Sequence, residues 1–423
     1  MIEFYKQTRM AMIKCVTILL LLMGNTFAQN LNIEIYPMAD VKKMQELPFL
    51  FIADNQFNNF LADPNIIRNT LFDNLNPVSI RPPQLDLFAP DLTSFVLNKY
   101  AKSKYIIHLG DALNIACQNE WKVHVNKFNP IKFGKRVHRG WVMLPGNHDA
   151  FYYGNTAGNT FLKRGFINRS WRDACNSDTY PPAGDVEIKD VAMTKDILTK
   201  RYFTELLKQG KLFPKDFPQI KDVKCETTEK ANRNNFREKR TKLMVCEWKS
   251  SNPKSFLQRM KFTYPIEQDI RIAYRSYIVQ ELNMGVVPGT DLKIKGILLD
   301  TVDYIKAPRS FVGAIGIMGK LSVFGSYKAG LMGNITDIQA SVVKDWLLSD
   351  GEASLVIFMG HHPYISLSPS SQKHYMGFKK LAPNSFYISS HTHTGFTINS
   401  GPVKEVNVGS ITDYPNEFVS LYM

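Results

Sequence analysis

Trp141-Val-Met-Leu-Pro-Gly-Asn-His-Asp149 is a short apolar run that breaks at Pro145-Gly146 into an amide, an imidazole and a carboxylate. An apolar run that stops abruptly at a polar turn is how a buried strand of an α/β sheet ends. The same form recurs along the chain. Pro48-Phe-Leu-Phe-Ile-Ala53 stops at Asp54-Asn55-Gln56, and Tyr105-Ile-Ile-His-Leu109 stops at Gly110-Asp111. Leu355-Val-Ile-Phe-Met359 stops at Gly360-His-His-Pro363, and Phe386-Tyr-Ile-Ser-Ser390 stops at His391-Thr-His393. Helical spacing lies between these runs, notably over 91–101 and 335–348. Val403 to Val408 alternates like a half-exposed strand, and Phe418 to Tyr422 reads as a closing strand. Alternating strands and helices predict an α/β architecture.

Composition agrees. The chain has 423 residues, 44% hydrophobic and 21% charged, which excludes a disordered, collagen-like or small disulfide-stapled protein. Lys plus Arg number 52 against 38 Asp plus Glu, a formal charge of +14. Such a field draws anionic substrates or surfaces and says nothing of the fold. At the N-terminus Lys6, Arg9 and Lys14 precede the apolar run Val16 to Met23, and Thr26-Phe27-Ala28 follows. This is the form of a secretory leader over residues 1–28, cleaved after Ala28, and the protein is expected to be exported, secreted or periplasmic. No later run is apolar over the ~20 positions needed to span a bilayer.

Beyond the leader four cysteines remain, Cys117, Cys175, Cys225 and Cys246, which allow three pairings. Cys225 with Cys246 is favoured because the two bracket one basic segment, leaving Cys117 with Cys175; free buried thiols are the alternative. The middle of the chain, about 151–270, lacks any strand ending in a polar turn. Between Lys221 and Lys261 it carries 12 Lys or Arg against 5 Asp or Glu. This stretch reads as a basic insertion in the core domain of residues 29–423, a partly helical cap.

Five strand ends thus carry candidate metal ligands: Asp54 and Gln56, Asp111, Asn147 and His148, His361, and His391 with His393. Ligands of α/β sheets bind outside the carboxyl ends of the strands. One polar turn is unremarkable, but five tipped with carboxylate, amide and imidazole point to a convergent cluster. Mixed oxygen and nitrogen donors suit zinc, manganese or iron, and this number of donors fits two divalent ions. Two such ions, about 3.5–4 Å apart, clamp the attacking and leaving oxygens of a phosphoryl centre.

The ordered set Asp54-x-Gln56, Gly110-Asp111, Gly146-Asn147-His148-Asp149, Gly360-His361-His362-Pro363 and His391-Thr392-His393 resembles the calcineurin-like metallophosphoesterases. The resemblance covers about 48–150 and 270–423. It implies a four-layer sandwich of two mixed β-sheets flanked by helices. It also implies two divalent cations, manganese, iron or zinc. Asp54 and His393, with Gln56 beside them, would bind the first. Asp111 would bridge both, and Asn147, His361 and His391 would bind the second. A hydroxide between the ions would attack phosphorus, with His148 protonating the leaving group or stabilising charge, oriented by Asp149. His362 would touch substrate phosphate.

Two departures bear on this. The family's first motif commonly reads Asp-x-His, and Gln56 stands at its third position, a weaker donor to zinc. Ser390 replaces the Gly that commonly precedes His391. Asn114 stands where the purple acid phosphatases have Tyr, so an iron–tyrosinate is not expected. Outside the set, His108 reads as a buried structural histidine, and His124, His138 and His374 as solvated ones. The expected activity is hydrolysis of a phosphomonoester, with a phosphodiesterase (nuclease or phospholipase-like) and a non-catalytic secreted binding protein as alternatives. The expected partner is a phosphate-ester substrate, with an anionic polymer or lipid surface met through the basic insertion and no obligate protein partner.

Overall fold

In the computed structural model all five apolar runs form strands, and each strand ends where its polar turn begins. The structure describes residues 15–21, 32–36, 49–57, 83–99, 105–114, 116–128, 140–149, 193, 195–212, 217–232, 239–266, 276–287, 290–303, 332–349, 355–412 and 418–422. Two mixed sheets result. The first is built from β1 (Cys15–Leu21), β2 (Asn32–Tyr36), β3 (Phe49–Ile52), β4 (Tyr105–His108), β5 (Trp141–Met143) and β15 (Phe418–Tyr422), in the order β2-β1-β15-β3-β4-β5. The second contains β6 (Lys224–Asn232), β7 (Lys239–Lys249), β8 (Leu257–Pro265), β9 (Tyr277–Val286), β10 (Lys293–Leu298), β11 (Leu355–Met359), β12 (Ser385–Ser389), β13 (Phe396–Ile398) and β14 (Glu405–Asn407). Its order is β13-β14-β12-β11-β10-β9-β8-β7-β6.

The period of two along β11 sorts its side chains between two cores. Leu355, Ile357 and Met359 face the first sheet, while Val356 and Phe358 face away, toward the helices. Between the sheets, Phe256 stacks on Tyr105 with ring centroids 3.8 Å apart and touches Phe49 as well. Helices α1 (Pro83–Lys99) and α2 (Gln118–Phe128) cover the outer face of the first sheet. Helices α4 (Asp337–Ser349) and α5 (Pro369–Leu381) cover the second through Val343, Trp346, Tyr375 and Phe378. The result is the expected α/β sandwich of mixed sheets flanked by helices. No described helix is long and apolar enough to cross a membrane.

Three sequence expectations change. Helix α1 begins at Pro83 rather than near Asp91, and runs through Pro90. The half-exposed strand at 403–408 is instead β14, fully buried, because Val406 joins the main core while Glu405 and Asn407 are held by hydrogen bonds with Ser389, Tyr364 and Ser390. The insertion is only partly the helical cap expected. Helix α3 (Lys195–Leu212) is followed by the antiparallel strands β6, β7 and β8, which continue the second sheet out from β9. Tyr202 of α3 ties the layers: its hydroxyl accepts from the Met143 amide at 2.9 Å and donates to Gln280 Oε1 at 2.8 Å. Strands β6, β7 and β8 are thus part of the second sheet.

Cys225 and Cys246 are directly opposite in the β6–β7 ladder and are disulfide-bonded, as expected from the sequence. Cys117 is also disulfide-bonded; its expected partner Cys175 lies outside the described residues. So do the leader's cleavage position, His138, and the insertion before residue 193. Within the stretch expected to be a leader, Cys15–Leu21 runs as β1 beside β15. His124 is a correction. It sits on α2 fully buried among Trp121, Phe128 and Trp141, and neither ring nitrogen has a hydrogen-bond partner among the described residues. His374 is half-covered and paired with Asp337 at 2.9 Å.

Candidate metal centre

The turns after β3 and β4 lie side by side because the parallel ladder runs on past the strands. Asp54 N donates to Gly110 O, Gln56 N to Asp111 O and Phe57 N to Ala112 O. The turn after β5 joins through the Asp111 carboxylate, whose Oδ1 accepts the His148 amide at 2.8 Å. From the second sheet, Ser390 N donates to His361 O, and the His391 amide reaches Asp54 Oδ2 at 3.2 Å. Strand ends of both sheets therefore meet at one place. Seven non-glycine described residues have positive φ, and five are candidate ligands: Asp54 (52°), Gln56 (44°), Asp111 (55°), His391 (75°) and His393 (59°). Each such residue costs about 1–3 kcal/mol and persists only where its surroundings hold it.

Two donor triads share one residue. Asp111, His361 and His391 offer ligand atoms within 4.8 Å of one another, and so do Asp54, Asp111 and His393. The hydrogen bonds show what these atoms can hold. His361 Nδ1 lies 2.9 Å from Leu109 O, which can only accept, so that nitrogen carries the proton. In the neutral ring its Nε2 turns a lone pair toward Asp111 Oδ2 (3.3 Å), Asn147 Oδ1 (2.9 Å) and His391 Nδ1 (3.2 Å). Electron-pair donors converging without protons to share are the chemistry of a cation site, and a ligating imidazole backed by a backbone carbonyl is its usual support. Burial opposes charge on His361, yet Asp111 outweighs it and lifts the pKa to about 9, so a cation binding at Nε2 would displace a proton held there by the Asp111 carboxylate. His391 is pushed down to about 3 by burial and by His361. The residues fit a divalent metal.

Asn147, His361, His391, His393, Asp54 and Asp111 are thus brought together. Three predicted roles come out differently. Gln56 enters the cluster, but its Nε2 faces Asp111 Oδ2 (3.3 Å), which can only accept, and lies 3.4 Å from His393 Nε2. In this orientation the amide supports the carboxylate as a donor. Asp149 does not orient His148. Its carboxylate accepts the amides of Leu113 (2.9 Å) and Gly146 (2.8 Å), while His148 Nδ1 is held by Asn114 O at 2.6 Å. Burial first, then Asp111, raises Asp149 to about 7. His362 is fully buried, packs on the His391 ring at 4.4 Å and pairs with Thr301, so it offers no surface to a substrate.

Sequence reasoning missed several supports. Asn407 Nδ2 donates to Ser390 O and its Oδ1 accepts from Thr392, while Ser410 and Thr412 donate to Asp54 O. These polar residues sit at strand ends with no motif of their own. His108 is buried as expected, and burial pushes its pKa down to about 3. The packing is close: a Cβ on Gly146 would overlap Asp111 Oδ1 and the Asp111 amide. Gly146→Ala is therefore expected to displace the Asp111 carboxylate, to cost about 1–3 kcal/mol of overpacking strain, and to lose the rise in melting temperature that Mn2+ is expected to give the wild type. An unchanged urea midpoint and an unchanged Mn2+ response would refute this.

A groove of about 1070 Å³ lies on the β6–β8 extension, with none of the candidate ligands in its wall. Lys221, Lys224, Lys249 and Lys261 line it together with Asp222, Glu226 and Glu247, and Lys261 is paired with Glu247 at 3.2 Å. Its charge is mixed.

Over residues 47–259, half of the chain, the sequence matches the family model described as calcineurin-like phosphoesterase. That span takes in the Asp54, Asp111 and Asn147 turns; His361, His391 and His393 lie beyond it and are brought in by the fold. Among solved structures the chain is similar to "GAP50 the anchor in the inner membrane complex of Plasmodium", at 10% identity and a TM-score of 0.32, over 86% of this chain and 71% of that one. No curated protein matches it.

Proposed function

The chain belongs to the calcineurin-like phosphoesterase family, and from that premise we propose that it is an exported hydrolase of phosphomonoesters working with two divalent cations. The observation that supports two cations is the sharing of Asp111 between both donor triads. Asp54, Asp111 and His393 would hold one ion, and Asp111, Asn147, His361 and His391 the other. Bound there, divalent ions supply a water of lowered pKa and neutralise charge on the phosphoryl oxygens. The export reading follows from the leader pattern of residues 1–28.

The chain's own residues do the rest. The Asn114 carbonyl fixes the proton of His148 on Nδ1, so Nε2 faces the cluster, 3.9 Å from Asp111 Oδ2. In the imidazolium form that Nε2–H can donate to a leaving-group oxygen. Asp149 ties the turn that carries Asn147 and His148 to the Asp111 turn by accepting the amides of Gly146 and Leu113. Gln56 stabilises the charged form of Asp111.

The orientation of Gln56 also favours a second reading, a secreted binding protein with one ion and a weakened first site. Metal-free protein re-supplied with Mn2+, Zn2+ or Fe2+ and given paired aryl phosphate mono- and diesters tests both. Turnover of the monoester, restored by metal and lost at least about 100-fold in Asn147→Ala, is the expected result, since even supporting residues cost up to that factor. Faster diester turnover would make the protein a phosphodiesterase. Silence with every metal, at fewer than two ions per chain, would make it a binding protein.

A further inference from the structure

We propose that His108, acting through Asn55 and Thr93, is a positioning residue for the first cation site and sets the Asp54 and Asp111 turns against helix α1. This deepens the two-cation reading and rests on it. The hydrogen bonds admit one arrangement. The Gly110 amide donates to His108 Nδ1 at 3.1 Å, so the neutral ring carries its proton on Nε2. That Nε2–H donates to Asn55 Oδ1 at 3.0 Å. Asn55 Nδ2 donates to Thr93 Oγ1 at 2.6 Å, and the Thr93 hydroxyl donates to Ala89 O at 2.9 Å. Turning the Asn55 amide over would set N–H against N–H at His108. His108, Asn55 and Thr93 are all fully buried, so water cannot substitute for a lost partner.

The two ends of this chain touch the ligands' neighbours. Asn55 lies between Asp54 and Gln56, and Gly110 precedes Asp111. All three ligand-side residues hold positive φ, and Gly110 itself has φ 94°. The ladder bonds from Asp54 N to Gly110 O and from Gln56 N to Asp111 O fix the separation of the two turns. They do not fix the turns against the helical layer, and the side-chain path to Ala89 does. The second cation site has separate support, since His361 leans on Leu109 O and Ser390 Oγ. Loss of the path should therefore be felt at one site more than the other.

His108→Asn keeps an acceptor for Gly110 and is too short to reach Asn55. Apo protein would be titrated with Mn2+ by calorimetry and by electron paramagnetic resonance, with the buried-core variant Val343→Ala as a comparator for lost stability alone. The wild type is expected to bind two ions and show a spin-coupled signal. His108→Asn is expected to bind one ion normally and the other about 10–100-fold more weakly, the range for supporting residues. Its signal should be mononuclear at two equivalents, and excess Mn2+ should restore kcat with the aryl ester. Thr93→Val breaks the far end and should act in the same direction by a smaller factor; it decides the matter where His108→Asn does not fold. Wild-type affinities at both sites in either folded variant would overturn the proposal, as would the same split in Val343→Ala. Fewer than two ions in the wild type would sink the two-cation reading itself, a result seen before any variant is made.

Discussion

Asp111→Asn is expected to leave a folded protein that holds at most one divalent ion and hydrolyses an aryl phosphate about 10²–10⁴-fold more slowly than wild type. The range follows from removing one partner of a buried charge pair, which costs about 3–5 kcal/mol, at about 1.36 kcal/mol per factor of ten. Asp111 is the residue common to both donor triads, so on the two-cation reading its charge would be the attraction that both ions share. Its surroundings are built for that charge. Burial works against ionisation, but His361 and His148 overcome it and hold the carboxyl well below its ordinary range. The His148 amide and Gln56 Nε2 add donors to its two oxygens. Asparagine keeps the shape and one acceptor, and presents an amide N–H donor where Oδ2 faced His361 or where Oδ1 faced the His148 amide. Ion stoichiometry of the desalted protein and turnover at saturating Mn2+ measure the two effects together. Two retained ions, or activity within tenfold of wild type, would show that the carboxylate is not shared.

The strand ends were legible because each combines an apolar run with a sudden polar stop, and the physics of a buried parallel strand demands both. The extension β6–β8 was not legible. Its strands are antiparallel with one solvated face, and Lys224, Glu226, Glu247 and Lys249 interrupt every apolar run. Only the cysteines betrayed it, since Cys225 and Cys246 fall opposite each other in the ladder. His124 looked solvated beside Lys122 and Asn126, yet helical spacing puts it on one face with Trp121 and Phe128. In the metal centre, the types of the converging residues could be read from the strand ends. The task of each could not, because it depends on backbone groups from other strands. Asn114 O claims His148, the Leu113 and Gly146 amides claim Asp149, and Asp111 Oδ2 draws the Gln56 amide.

Lys195→Met is expected to destabilise the fold by about 3–5 kcal/mol at pH 8, and less in acid. Lys195 opens α3, inside the stretch that reads as an insertion, and its Nζ is buried against Asp300 at 2.9 Å and Val302 O at 2.5 Å. Asp300 follows β10 and also accepts the amides of Ile278 and Val302. Burial raises the Asp300 pKa, and Lys195 is the main force restraining that rise. Without the ammonium the folded-state pKa climbs further above the unfolded value of 3.8. A carboxyl shifted that way binds its proton more tightly when folded. Its contribution is fully present below the unfolded pKa and is lost as pH rises through the folded one. The urea midpoint of Lys195→Met should therefore fall between pH 5 and pH 8 more steeply than that of the wild type. Adding Asp300→Asn, which removes the stranded charge, should restore much of the pH 8 midpoint and flatten the curve. A Lys195→Met midpoint within about 0.5 kcal/mol of wild type, the range of an ordinary surface change, would mean that α3 is a peripheral attachment. The expected loss would mean that the sandwich and its metal centre fold together with the stretch that interrupts them in sequence.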